Sequence, residues 1–116
     1  MLSIEQLTDT IRQFAEERDW DQFHSPKNLS MALAVETSEI MEIFQWLTEE
    51  QSKNLPEEKM AELKDELADV TIYLIRLADK LGIDLLSAAD AKIARNKEKY
   101  PADKVRGSAK KYNEYD

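Results

Sequence analysis

Apolar residues recur along this chain at helical spacing, in four blocks. Ile4, Leu7, Ile11 and Phe14 fall at three- and four-residue steps and form one stripe. Ser3 precedes that stripe and Gln6 follows three residues later, a capping-box pattern. A first helix is therefore expected from Ser3 to near Trp20. Ser25 followed by Pro26 is a cap with proline at the first helical position, and it opens a second helix that runs to about Leu47. Pro56 opens a third, which runs to about Leu81, with Gly82 as its C-terminal stop. Asp84 caps a fourth, which ends near Tyr100, before Pro101. The aromatic stretch "DWDQFHSP" and the polar stretch "TEEQSKNL" read as connections. With two Gly and three Pro in 116 residues, chain breakers are too few for many short strands. The expected class is all-α: a four-helix bundle over residues 1–100, then a basic, largely irregular tail over 101–116 that includes Tyr112 and Tyr115.

Two of these helices do not have simple amphipathic wheels. On the second, Leu29, Leu33, Ile40, Ile43, Phe44 and Leu47 share one face, and Glu36 falls in the middle of it. On the third, Leu63, Leu67, Val70, Leu74, Leu77 and Leu81 form one apolar side. Ala61, Ala68, Ile72 and Ile75 form another, roughly opposite. A helix apolar on two sides must be covered on two sides. A chain this short has a thin core, so completion of the bundle by homo-oligomerisation, as a dimer or tetramer, is expected.

Composition narrows the chemistry. There is no cysteine, hence no disulfide framework, thiolate metal site or cysteine nucleophile. No apolar run is long enough to span a bilayer, and the N-terminus lacks the pattern of a secretion signal. A cytoplasmic protein without a membrane partner is expected. The net charge of −8 argues against binding a nucleic-acid polymer. That charge is unevenly spread: residues 1–91 hold 8 basic and 20 acidic side chains, whereas residues 92–116 hold 8 basic and 4 acidic. An acidic body with a basic end suits a metal-plus-phosphate ligand. It equally suits solvated helix faces and a loose cationic tail.

The acids include two pairs at helical spacing, Glu36 with Glu39 and Glu66 with Asp69. Residues three apart lie on neighbouring turns of one face. If the second and third helices pack antiparallel, the pairs face each other, and four carboxylates converge. A divalent cation would relieve their repulsion, and an all-oxygen set without Cys or His suits Mg²⁺ or Mn²⁺. Acids three apart are also ordinary surface ion-pair partners, and periodicity leaves both readings open. Glu36 resists the second, because burying an unpaired carboxylate is costly and no Lys or Arg lies between Lys27 and Lys53. Aromatic residues near the acids, Trp46 and Tyr73, read either as core or as surfaces on which a nucleobase stacks. His24, the single histidine, has no special role on spacing alone. On the fourth helix Lys92 and Asn96 share one edge, beside Arg95 and Lys99. They read either as phosphate ligands or as a solvated helix end favoured by the macrodipole.

The segments "FAEERDWDQFHSPKNLSMALAVETSEIMEIFQW", "LKDELADVTIYLIRLAD" and "KIARNKEKYP" resemble, in that order, the MazG-like all-α nucleoside triphosphate pyrophosphatases, and within them the single-domain dCTP pyrophosphatases. The resemblance covers nearly the whole chain, about Phe14 to Tyr112. It implies hydrolysis of a (deoxy)nucleoside triphosphate between the α and β phosphates, dependent on Mg²⁺ (or Mn²⁺). It implies Glu36, Glu39, Glu66 and Asp69 as metal ligands and catalytic residues, with Glu39 orienting or deprotonating the attacking water. It further implies that Trp20, His24, Trp46 and Tyr73 bind the nucleoside, that Lys92 and Asn96 bind phosphate, and that a neighbouring subunit completes the pocket. The substrate it points to is dCTP or a base-modified dCTP. One departure is visible: typical MazG domains carry an acid immediately before the first motif glutamate, where this chain has Val35. The contrasting possibility is a non-catalytic acidic helical oligomer that binds partner proteins. Such an adapter has no use for a carboxylate at position 36.

Overall fold

In the computed structural model, residues 1–109 and 112–114 are described. They are helical with no strand among them, as an all-α chain requires. Tyr115 and the side chain of Tyr112 lie outside the described parts. The helices are α1 (Ile4–Glu17), α2 (Pro26–Phe44), α3 (Glu49–Ser52), α4 (Glu57–Lys80), α5 (Leu85–Lys99) and α6 (Ala102–Val105). Short 3₁₀ turns occur at Asp21–Phe23 and Tyr112–Glu114. None of the described helices is long and apolar enough to cross a membrane. The chain divides into two compact units, Met1–Gly82 and Ile83–Asp116.

In the first unit, local chemistry sets each start. The Ser3 hydroxyl accepts from the Gln6 amide, and the Gln6 side chain accepts from the Ser3 amide, closing the capping box that the sequence suggests. Ser25 accepts from Asn28 at the head of α2, with Pro26 at the first helical position. The ends differ from expectation. α1 stops at Glu17, not near Trp20, because Asp19 turns left-handed at φ 53°. The Trp20 amide then donates to Ala15 O at 2.9 Å, and the Asp19 amide to Glu16 O at 3.1 Å. This is a Schellman closure with aspartate in the place glycine usually takes. α2 stops at Phe44, so Leu47 and Trp46 belong to the following turn and not to the helix. The polar connection contains a helical turn of its own, α3, because Thr48 and Gln51 form a second capping box.

Both α1 and α2 pack against α4. Ile11 and Ala15 of α1, Leu29 of α2, and Ile75 and Ala78 of α4 are buried and form the core. On α4 Leu67 and Leu74 stay exposed, as do Ile72 on its other side and Leu81 just past its end. The contacts show that α2 and α4 run antiparallel. His24, just before α2, meets Arg76; Glu36 and Glu39 meet Glu66; Glu42 and Ile43 share a cleft with Lys59 and Glu62. As α2 advances, its partners on α4 step back.

In the second unit, the Asp84 carboxylate accepts from the Ser87 amide and starts α5. α5 ends at Lys99 ahead of Pro101, and α6 adds one turn in the tail.

Leu29 is the largest side chain that is fully buried, at 1% exposure. Leu29→Ala should lower the unfolding free energy by about 2–5 kcal/mol in urea titrations, through lost burial and the cavity left behind. The far-ultraviolet helical signal of the folded state should not change. An unaltered urea midpoint would mean that the α2–α4 contact is not the core of this unit.

Candidate metal centre

The antiparallel pairing aligns three glutamates across the α2–α4 contact. Glu36, Glu39 and Glu66 are each half-buried, and one carboxylate oxygen from each lies within 4.8 Å of the others. Residues three apart on α2 supply two of these groups, and the facing turn of α4 supplies the third. Asp69, one turn beyond Glu66, is half-buried and is not among these three. Its negative charge does reach Glu66.

Oε2 of Glu36 and Oε2 of Glu66 are both buried without a hydrogen-bond partner. Ionised carboxylates offer one another only lone pairs, so the cluster is stable in one of two ways. It can hold protons between the oxygens, or it can hold a cation. The first is visible as raised proton affinity. Glu66 is held above the usual carboxylate range chiefly by a hydrogen bond with Glu36 that exists only when a proton is present. Burial and the charges of Glu36 and Asp69 push the same way, and a hydrogen bond with Glu39 opposes them. Glu39 is raised chiefly by hydrogen bonding to Glu66 and by the Glu66 charge, then by burial.

The second way is tested by the donor set. Three to four hard oxygens, two of them orphaned and buried, with no sulfur or imidazole, fit a divalent cation of the Mg²⁺ type. A cleft of about 380 Å³ opens beside the cluster, lined by Glu39, Glu42, Ile43, Lys59, Glu62 and Glu66. Lys59 pairs with Glu62 at 3.3 Å. Lys59 escaped the sequence reading, although the steps 59, 62, 66, 69 along α4 mark a single helix face that could have shown it beside Glu62.

The aromatic candidates divide. The Schellman turn places Trp20 edge-on to Phe14 at 5.6 Å and edge-on to His24 at 6.5 Å. The Arg18 guanidinium lies 3.8 Å over the Phe14 ring. Among the described residues neither Trp46 nor Tyr73 makes a ring–ring contact with this group. Tyr73 is half-buried on α4. Trp46, at 86% exposure, projects from the turn after α2, which ends at Phe44 and not near the expected Leu47. Lys92 is exposed and Asn96 half-buried, both on α5 of the second unit.

Sequence reasoning missed Arg76. Its side chain is 3% exposed and donates from Nε to His24 Nδ1 at 3.2 Å, from Nη2 to Asp21 Oδ1 at 2.7 Å, and from Nη1 to Asp79 Oδ2 at 3.5 Å. Arg12 of α1 grips Asp79 with two bonds, at 3.0 and 2.6 Å, and Lys80 also binds Asp21. The cations hold Asp21 and Asp79 below the usual carboxylate range, each chiefly through a hydrogen bond, from Lys80 and Arg12 respectively. The His24 imidazole is held below its ordinary value by burial first, then by the charges of Arg76 and Lys80, with Asp21 opposing.

A MazG-like family model matches residues 31–115. Mouse dCTP pyrophosphatase 1 is 42% identical over 114 residues, which span 97% of this chain and 67% of the mouse protein. The human protein of the same name is 40% identical over the same shares. A crystal structure of a pyrophosphatase from Archaeoglobus fulgidus superposes with a TM-score of 0.80 at 38% identity, over 84% of this chain and 91% of that one.

The raised carboxylates give a signed pH dependence. Glu66 binds its proton more tightly folded than unfolded, so the metal-free fold weakens as pH rises through the ordinary value of 4.5 toward the raised one. Asp21 and Asp79, being lowered, act in the opposite sense: their contribution is present above 3.8 and is lost as pH falls. The difference between wild type and Glu66→Gln removes that background. Without divalent ions, wild type should lose stability relative to Glu66→Gln as pH rises through and above 4.5 in urea titrations. Adding Mg²⁺ near neutrality should reverse the order. A difference that stays flat with pH would show that Glu66 ionises as an ordinary surface acid.

Proposed function

This chain belongs to the MazG-like family and is a nucleotide pyrophosphatase, and we propose that it hydrolyses a deoxynucleoside triphosphate to the monophosphate and pyrophosphate, with dCTP or a base-modified dCTP as substrate. The observation that carries this reading is the pair of buried carboxylate oxygens, on Glu36 and Glu66, that have no partner within the protein. Each is a buried polar atom that no donor of the protein meets.

In this reading Glu36, Glu39 and Glu66 hold the cation, Mg²⁺ or Mn²⁺, with Asp69 as the fourth acid. When bound, the ion supplies neutralisation of phosphate charge and a more acidic water. Glu39 would orient or deprotonate the attacking water. The indole of Trp20 and the imidazole of His24 receive the nucleoside, with Tyr73 and the exposed Trp46 as further stacking surfaces. Lys92 and Asn96 have the side-chain chemistry to bind polyphosphate oxygens. The exposed apolar residues of α4, Leu67, Ile72, Leu74 and Leu81, support assembly into a homo-oligomer. The names of the relatives support dCTP over other bases.

With Mg²⁺ and a panel of canonical and base-modified deoxynucleoside triphosphates, the protein should release pyrophosphate, not single phosphate, from at least dCTP. Glu36→Gln should lower the rate by about 100-fold or more, as expected for loss of a metal ligand, while circular dichroism stays unchanged. Absence of pyrophosphate across the whole panel would sink the reading.

A further inference from the structure

Arg76 is the one charged side chain buried among the described residues, and it lies on α4 two turns beyond Asp69. Two of its three partners, Asp21 and Asp79, are plain counter-charges. The third is an imidazole nitrogen. A neutral imidazole has one donor and one acceptor nitrogen, and its partners decide which is which. An arginine N–H can be received only by an unprotonated nitrogen. Arg76 Nε, 3.2 Å from Nδ1 of His24, therefore occupies the lone pair of Nδ1 and leaves the ring proton on Nε2. Among the described residues the side chain of His24 makes no other hydrogen bond.

The surroundings keep the ring in this state. From α4 it faces Arg76 and Lys80, and from its own turn it faces Asp21. Asp79 and, behind it, Arg12 of α1 hold Arg76 in place. Asn28 of α2 donates to Phe23 O at 3.0 Å and fixes the backbone just before His24. The indole of Trp20 stands beside the imidazole at 6.5 Å and 61°. A base stacked on that half-exposed indole would lie next to the imidazole.

We propose that Arg76 is a positioning residue: it fixes His24 as the neutral Nε2–H tautomer, so that His24 presents one directed donor to a ring carbonyl of the substrate's base. This rests on the proposal above that Trp20 and His24 receive the nucleoside. It adds the group that decides which atom His24 can recognise. A hydrogen-bond acceptor on the base is bound, and a donor in the same place is refused.

The chain has one histidine, so its imidazole ¹⁵N resonances need no assignment. In the wild-type protein near neutral pH, Nε2 should show the protonated shift and Nδ1 the unprotonated one. The ring should titrate below the ordinary 6.5. Arg76→Met should give a mixture of tautomers and a higher midpoint. Its KM for dCTP should rise about 3- to 10-fold with kcat within about twofold, the scale of one hydrogen bond. In a His24→Gln background, which carries its own amide donor, Arg76→Met should add little to KM. A wild-type spectrum with the proton on Nδ1, or divided equally, overturns the proposal even if Arg76→Met fails to fold. So does an Arg76→Met effect on KM that persists in full in the His24→Gln background. Failure of the wild-type protein to release pyrophosphate from dCTP would instead remove the enzymatic reading and the base contact with it, and the ¹⁵N spectrum would then decide the tautomer alone.

Discussion

A charge withdrawn from water must meet an opposite charge or give up its ionisation. The antiparallel contact between α2 and α4 places both kinds of charge under that constraint, a few turns apart, and resolves them differently. Near the start of α2, a buried arginine is met by two carboxylates, an imidazole and, at one remove, a second arginine. Further along, three glutamates converge, two of their oxygens have no partner, and the nearby Lys59 pairs with Glu62. The fold that surrounds Arg76 so completely leaves this cluster open. The open cluster is where an outside cation fits, and the closed network is what holds the surrounding elements in register.

The two features depend on each other through geometry. The glutamates meet only if α2 keeps its position along α4, and the contacts of Arg76 help to set that position. Arg76 and Lys80 reach the turn that leads into α2, while Arg12 joins α1 to α4 through Asp79. The apolar core between these elements is small, with Leu29 at its centre. Packing therefore supplies the affinity of the helices for one another, and the ionic network supplies much of their specificity of register.

The sequence made part of this legible for physical reasons. Caps act within three residues, so Ser3, Ser25 and Asp84 could be read directly, and the structure has all three helices starting there. Glu36 could be flagged because helical periodicity alone places it among Leu29, Leu33 and Ile40. Convergence with Glu66 followed once antiparallel packing was assumed. The Schellman end of α1 was hidden because aspartate, not glycine, occupies its left-handed position. Trp46 was misplaced because the stripe of α2 continues past the point where its backbone stops being helical. Arg76 was unreadable for a different reason. Two of its partners lie 55 and 52 residues back at Asp21 and His24, and no local pattern announces which charged residue of a helix will be buried. Asp69 was expected to join the other three acids equally, yet it stands one turn outside their closest set.

The turn between α1 and α2 is held to the rest of the unit in an unusual way for a segment rich in aromatic side chains. Trp20 and Phe23 are exposed, so little apolar area fastens it. Its grip on α4 is through Asp21, which is itself more than half exposed, and through the edge of His24. A segment fastened by accessible charge responds to dissolved ions, because screening at physiological salt already acts over about 8 Å. The accessible Lys80–Asp21 side of that attachment weakens with added salt, whereas the Arg76 side, buried in the contact, is screened much less and keeps the aromatic wall on α4.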